Sequence, residues 1–296
     1  MSFHANSSGK IVKMSIEQES SLKVDRLPQV DVGTSSLATA SQGVSQVVYA
    51  RGKFHKTPGN VIVEAPVSLT VNGVVWLSLL CTPVHLEALG LGFLYNEGVI
   101  TDLAEVAAIR VCPQGDNIDI WLNHPADKPR QWIRTSGCSG GITGVEPVAG
   151  EQVTFTNGGM YSLAQIKHIL AEFSQVQSLY HLTGGVHTSA LSDGQKMILV
   201  AEDIGRHNTL DKLAGRCLVE AIAPARRILL TTGRISSEML QKAARLRAPI
   251  VISRTSPSSR SIAMAERLGI TLIGYARRDH FIIYAHAERI LTNDEI

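Results

Sequence analysis

Ile228–Tyr275 reads ILLTTGRISSEMLQKAARLRAPIVISRTSPSSRSIAMAERLGITLIGY, and this stretch decides the fold. Three short runs rich in Ile, Leu and Val, at Ile228–Thr232, Ile250–Arg254 and Thr271–Tyr275, alternate with two amphipathic stretches, Ser236–Leu246 and Ser258–Leu268. Strands alternating with helices of ~10–15 residues are βαβ crossovers, which build a parallel or mixed sheet. Phe281–Ala285 follows the third strand too closely for a crossover helix, so it is expected to run antiparallel. Upstream, Val186–Leu191 and Lys196–Ala201 read as strands around Asp193-Gly194, flanked by helices at Ser162–Phe173 and Arg206–Ile222.

The N-terminal half has a different rhythm. Val47-Val48-Tyr49 and Asn60–Thr70 are β-prone, and Asn72-Gly73 precedes VVWLSLLC, a strong hairpin signal. Thr82-Pro83 is expected to cap a helix through Leu94 that stops near Glu97-Gly98. Ala107–Cys112 and Ile118–Leu122 form a second hairpin pattern. The fold class is therefore α/β: a mixed sheet with βαβ crossovers in the C-terminal half, plus a β-rich N-terminal subdomain. Residues 1–45, rich in Ser, Gln and Gly, read as a flexible tail, with order beginning at Gln46. EPVAGEQVTFTNGG reads as a linker, which divides the rest into 46–150, the β-rich part, and 151–296, the α/β part.

Composition narrows the function. The 296 residues hold 28 Lys+Arg against 26 Asp+Glu, a net charge of +2, too weak a field for a nucleic-acid coat. No apolar run reaches the ~18 residues of a membrane span. Met1–Lys13 lacks the apolar region of a signal peptide. These features together point to the cytoplasm, where the four cysteines, none in a C-x-x-C pair, are reduced thiols.

Cys138 lies in Arg134-Thr-Ser-Gly-Cys-Ser-Gly-Gly141, on glycine-rich backbone suited to a thiol that must reach two partners. A tyrosine-phosphatase loop fails, because the sixth residue after Cys138 is Gly144 and not Arg. A Cys–His pair with His187 or His207 stays open. His85-Leu86-Glu87 has the H-x-E pattern of zinc deaminases, but no C-x-x-C completes it and Cys112 is the only thiol close downstream, so no metal is expected. Thr183–Gly185, Glu202–Asn208 with Arg206 and His207, Thr231–Arg234 and Arg254–Arg260 all fall at strand ends. Such turns present free N–H groups, and in α/β sheets ligands bind beyond the carboxyl ends of the strands. Tyr275-Ala276-Arg277-Arg278-Asp279-His280 closes the last parallel strand: taken alone it reads as an exposed polar turn between two strands, while its two adjacent guanidiniums and aromatic ring could also grip phosphate and stack on a base.

Several of these segments together resemble one family. EDIGRHNTLDKLAG, LTTGRISSEMLQKAA, ISRTSPSSRSIAMAERLGITLIGYAR, TGGVHTSAL and GFLYNEGVI resemble the signature blocks of the FdhD family, and the likeness runs from about Val47 to His286. The resemblance implies a sulfurtransferase with a fold like that of cytidine deaminases. Such a protein carries persulfide sulfur from a cysteine desulfurase to the molybdenum cofactor, in its bis-molybdopterin guanine dinucleotide form, before the cofactor enters formate dehydrogenase. It further implies a homodimer, a reactive cysteine at Cys138, and Gly141 in place of a second loop cysteine. The cofactor-binding stretch it implies falls on Tyr275–His280, with Arg206, His207, Arg234 and Arg254 as further candidates. An alternative is a chaperone that holds the guanylated cofactor without moving sulfur.

Overall fold

The structure is a computed structural model that describes residues 40–129, 132–134, 142–144, 155, 159–223 and 227–291. It opens on a ribbon of two ten-residue strands, β1 (Ser41–Ala50) and β2 (Lys53–Ile62). Strand structure thus begins ahead of Gln46, and the run Asn60–Thr70 is divided between β2 and β3 (Ala65–Val71). Asn72 (φ 48°) and Gly73 (φ 79°) turn β3 into β4 (Val74–Cys81). Two successive positive φ values match a type I′ turn, which Asn-Gly favours because Gly has no Cβ and Asn tolerates the left-handed region.

Thr82-Pro83 does not begin the helix. Helix α1 (Leu86–Asn96) starts three residues after Pro83, with His85 in the left-handed region as its N-cap. Thr82 is engaged elsewhere: its N–H donates to Asp203 Oδ2 at 3.1 Å, and its Oγ1 accepts from the Ile204 N–H at 3.1 Å. Tertiary hydrogen bonds outcompete the local cap. After α1 come β5 (Val106–Val111) and β6 (Asn117–Leu122), and the four strands form a sheet in the order β4-β3-β6-β5. Leu69, Ile118 and Ile120 on that sheet bury against Leu89 and Phe93 of α1. Burial of such side chains contributes roughly 1.5–3 kcal/mol each. Strands β7 (Trp132–Arg134) and β8 (Ile142–Gly144) pair antiparallel. Their connection, residues 135–141 with Cys138, lies outside the described residues.

The second half supplies β9 (Tyr161–Ser162), α2 (Leu163–Gln175), α3 (Ser178–Thr183), β10 (His187–Ser192), β11 (Met197–Asp203) and α4 (Arg206–Val219). It continues with β12 (Ile228–Thr231), α5 (Ser237–Arg245), β13 (Ile250–Ser253), α6 (Ser259–Leu268), β14 (Thr271–Arg277), β15 (His280–Ala285) and β16 (Ile290–Leu291). Six strands form one mixed sheet in the order β11-β10-β12-β13-β14-β15. β12, β13 and β14 are parallel, and β15 is antiparallel to β14. The hydroxyls of Ser162, Ser236 and Ser258 accept N–H groups at the starts of α2, α5 and α6. Alternate strand residues face opposite layers. Leu229, Val251 and Leu272 pack with α4, α5 and α6, whereas Leu230, Ile252 and Ile273 pack with Ile166, Ile169 and Phe173 of α2.

The two sheets are joined through α1 and α4. A Cβ on Gly92 would stand 1.7 Å from the Asp211 carbonyl oxygen, and one on Gly215 would stand 2.0 Å from that of Ala88. Only glycine permits this backbone-to-backbone crossing. Beside it, Lys242 Nζ pairs with Asp211 at 2.6 Å, and Asn96 Nδ2 donates to the same carboxylate at 2.7 Å. At the next position of α4, Lys212, with no exposed side-chain area, pairs with Asp203 at 2.6 Å.

Candidate functional site

Strand register brings the strand-end turns to one edge. β10 runs against β12, so His187 at its start lies at the end where Thr231 closes β12, and the Thr232 N–H donates to Thr188 O. His187 pairs with Asp203 at the end of β11, and Thr231 with Ser253 at the end of β13. Thr183–Gly185, Glu202–His207, Thr231–Arg234, Arg254 and Arg277 therefore share one rim.

A cleft of about 520 Å³ opens there, lined among others by Ser174, Tyr180, His187, Arg254, Arg277 and Arg278. Among the described residues that line it, none is a carboxylate. Arg254 Nη2 donates to Ser174 Oγ at 2.7 Å and Nη1 to Gln177 Oε1 at 3.4 Å, and the guanidinium lies 5.5 Å from the Phe173 ring centre. Arg277 Nη1 donates to Arg254 O at 2.9 Å. Burial first, and then the charge of Arg277, pull the Arg254 pKa down. No ion pair among the described residues includes Arg254, Arg277 or Arg278. Guanidiniums held close together by neutral acceptors leave their charge available to an anion from solution. A second hollow, about 610 Å³, runs along the β1–β2 ribbon. Among the described residues, Lys56 is its only charged lining residue, and the hollow shares none of them with the cleft.

The sequence candidates divide around this cleft. Arg254, Ala276, Arg277 and Arg278 line it, whereas Tyr275, Asp279 and His280 do not. The cause is a bulge: the β14–β15 register shifts between Gly274 and Arg277, and Tyr275 takes φ 51°. Tyr275 is left 45% exposed, and Asp279 lies 3.8 Å from Lys167. Arg206, His207 and Arg234 form a neighbouring cationic group that meets the cleft at His187. All three hold the His187 pKa down, after burial, its largest cause. Arg206 and His207 are buried and Arg234 is exposed. His207 Nε2 lies 3.7 Å from Glu238; the neighbouring imidazole pulls the Glu238 carboxyl down to about 2, and burial lowers the His207 pKa.

Sequence reasoning missed Ser174 and Tyr180. Helix α3, which carries Tyr180, is six residues long with one buried side chain, Leu179, so no periodicity announces it.

The cysteines separate by environment. Burial, with Asp203 adding to it, raises the Cys81 thiol to about 12, and burial also raises Cys217. Cys112 is half-buried, and its Sγ accepts the N–H groups of Asp116 and Asn117 at 3.3 and 3.2 Å. With a pKa near 12, only roughly one Cys81 in 10⁴ is a thiolate at pH 8. Iodoacetamide at pH 8 is therefore expected to label Cys112 and spare Cys81 and Cys217 in the folded chain. Peptide mass mapping checks this, and rapid labelling of Cys81 would contradict it. Among the described residues, no cluster of three or more His, Cys, Asp or Glu could hold a metal ion, and no helix is long and apolar enough to cross a membrane.

A mixed α/β sheet whose strand ends carry arginines around a cleft defines an α/β protein with a cationic rim. Within that class, the chain belongs to the FdhD/NarQ family, whose model matches residues 62–291. It is 35% identical over 255 residues to the sulfur carrier protein FdhD of Bacillus subtilis, covering 82% of this chain and 94% of that protein. It is 32% identical over 258 residues to the protein of the same name from Staphylococcus haemolyticus, covering 86% and 98%. A crystal structure from Desulfotalea psychrophila, described as a formate dehydrogenase accessory protein, superimposes with a TM-score of 0.67 at 31% identity, covering 85% of this chain and all of that one.

Proposed function

We propose that this chain is a sulfur carrier for formate dehydrogenase, with Cys138 as the carrier thiol and the strand-end cleft as the seat of the molybdenum cofactor's guanosine diphosphate arm. The cleft with Arg254, Arg277 and Arg278, and no carboxylate among its described lining residues, is the observation that carries the reading. Burial raises the thiols of Cys81 and Cys217, and of the other two cysteines Cys138 is the one in the glycine-rich loop that the family resemblance marks. In the loading step, the Cys138 thiolate attacks the outer sulfur of a desulfurase cysteine persulfide. That S–S bond breaks, a new one forms on Cys138, and the desulfurase cysteine leaves as a thiolate, so no external oxidant or reductant is needed. Both this step and delivery require an accessible thiol and no metal held by the chain.

Guanosine diphosphate carries about three negative charges, and each charge-assisted contact contributes about 1.5–3 kcal/mol. A few such contacts give micromolar affinity, about 8 kcal/mol. Replacing both Arg277 and Arg278 with Ala is expected to weaken guanosine diphosphate binding at least about tenfold and to flatten its salt dependence. Calorimetry at two salt concentrations is the test. Equal affinities for wild type and variant would move the site elsewhere, and a wild type that binds none would end the nucleotide reading.

A further inference from the structure

Tyr180 lines the cleft, yet its side chain is 40% exposed, so little packing fixes it. Its position depends on the backbone of α3. That helix is six residues long, too short to persist alone, and its N-cap residue, Gln177, makes no side-chain cap bond. The cap comes instead from a distant strand. Glu202 Oε2 accepts the Leu179 N–H at 2.8 Å, and Glu202 Oε1 accepts the Tyr180 N–H at 3.0 Å and the Thr188 hydroxyl at 3.1 Å. Glu202 is itself rigidly placed: it pairs with Thr188 in the β10–β11 ladder, and its carbonyl accepts from buried Lys212 at 3.3 Å. Two further ties hold α3, Leu179 against Ala40 and Val186, and His181 Nε2 at 2.9 Å from Ser174 O.

We infer that Glu202 is a positioning residue for the cleft: its carboxylate fixes the first turn of α3 and so holds Tyr180 beside Arg254. The negative charge of Glu202 is spent on backbone N–H groups, and Glu202 is not among the described residues that line the cleft. Loss of Glu202 thus removes an aromatic wall while leaving the three cleft arginines in place.

The inference rests on the anion reading of the cleft, and titration with guanosine diphosphate separates the two. Glu202→Ala is expected to bind about tenfold more weakly than wild type. Glu202→Gln, which keeps one carbonyl acceptor, should fall between them and carries the test if the alanine variant does not fold. Because the arginines are intact, the salt dependence of each Glu202 variant should equal that of wild type. In a Tyr180→Ala background, either Glu202 substitution should cost nothing further, because the residue acts through Tyr180. Wild-type affinity in both Glu202 variants, additive losses with Tyr180→Ala, or a flattened salt dependence would overturn the positioning role while leaving the anion reading intact. A wild type that binds no guanosine diphosphate would overturn both.

Discussion

Replacing Asp203 with Ala is expected to lower stability by about 3–5 kcal/mol. The carboxylate is fully buried and opposes the ammonium of Lys212 at 2.6 Å. It also accepts the N–H groups of Thr82 and Gly205 and the amide of Asn208, at 3.1, 2.7 and 2.9 Å. Removing it strands a buried cation and leaves several donors unpaired, and both consequences are costly. Lys212 retains only the carbonyls of Thr82 and Glu202, which carry no charge to offset its own. Adding Lys212→Met to Asp203→Ala should therefore restore part of the loss, since the stranded charge goes with it. Urea unfolding of the two variants checks this ordering, and a double variant less stable than Asp203→Ala alone would contradict it.

Replacing Cys138 with Ser is expected to abolish formate dehydrogenase activation in cells that carry only the variant, and to leave thermal stability and guanosine diphosphate binding at wild-type values. A serine hydroxyl neither attacks a persulfide at neutral pH nor holds a sulfane sulfur, so the loss should be complete. Cys112→Ser, in a turn away from the cleft, should retain activity. Full activation by Cys138→Ser would remove the carrier role from this residue.

The parts of the fold that were legible in the sequence are those fixed by local chemistry. Asn72-Gly73 makes its turn because both residues tolerate positive φ, and the serines heading α2, α5 and α6 cap them as their positions imply. The alternation across Ile228–Tyr275 carried the crossovers because each strand is buried on both faces between helix layers. What failed was set at a distance. Thr82 looks like a cap, but Asp203 and Ile204, more than 100 residues away, take its polar groups. α3 left no pattern because its cap is Glu202, 23 residues beyond Leu179 and 22 beyond Tyr180.

The site divides the same way. Arginines at strand ends identify the rim, since a sheet's register brings such positions together whatever lies between them. Which of Tyr275–His280 turn into the cleft depends on a bulge that no periodicity encodes. The long block at Glu202–Gly215 invites a catalytic reading, yet its acidic members do structural work. Asp203 and Asp211 hold buried lysines, and Glu202 anchors α3.

The central claim is that Cys138 carries sulfur, and the direct measurement is the intact mass of the chain after incubation with a cysteine desulfurase and free cysteine. The wild type should gain about 32 Da, one sulfur atom, that dithiothreitol removes, and Cys138→Ser should gain nothing. A wild type that stays at its unmodified mass, or an adduct that persists in Cys138→Ser, would contradict the account.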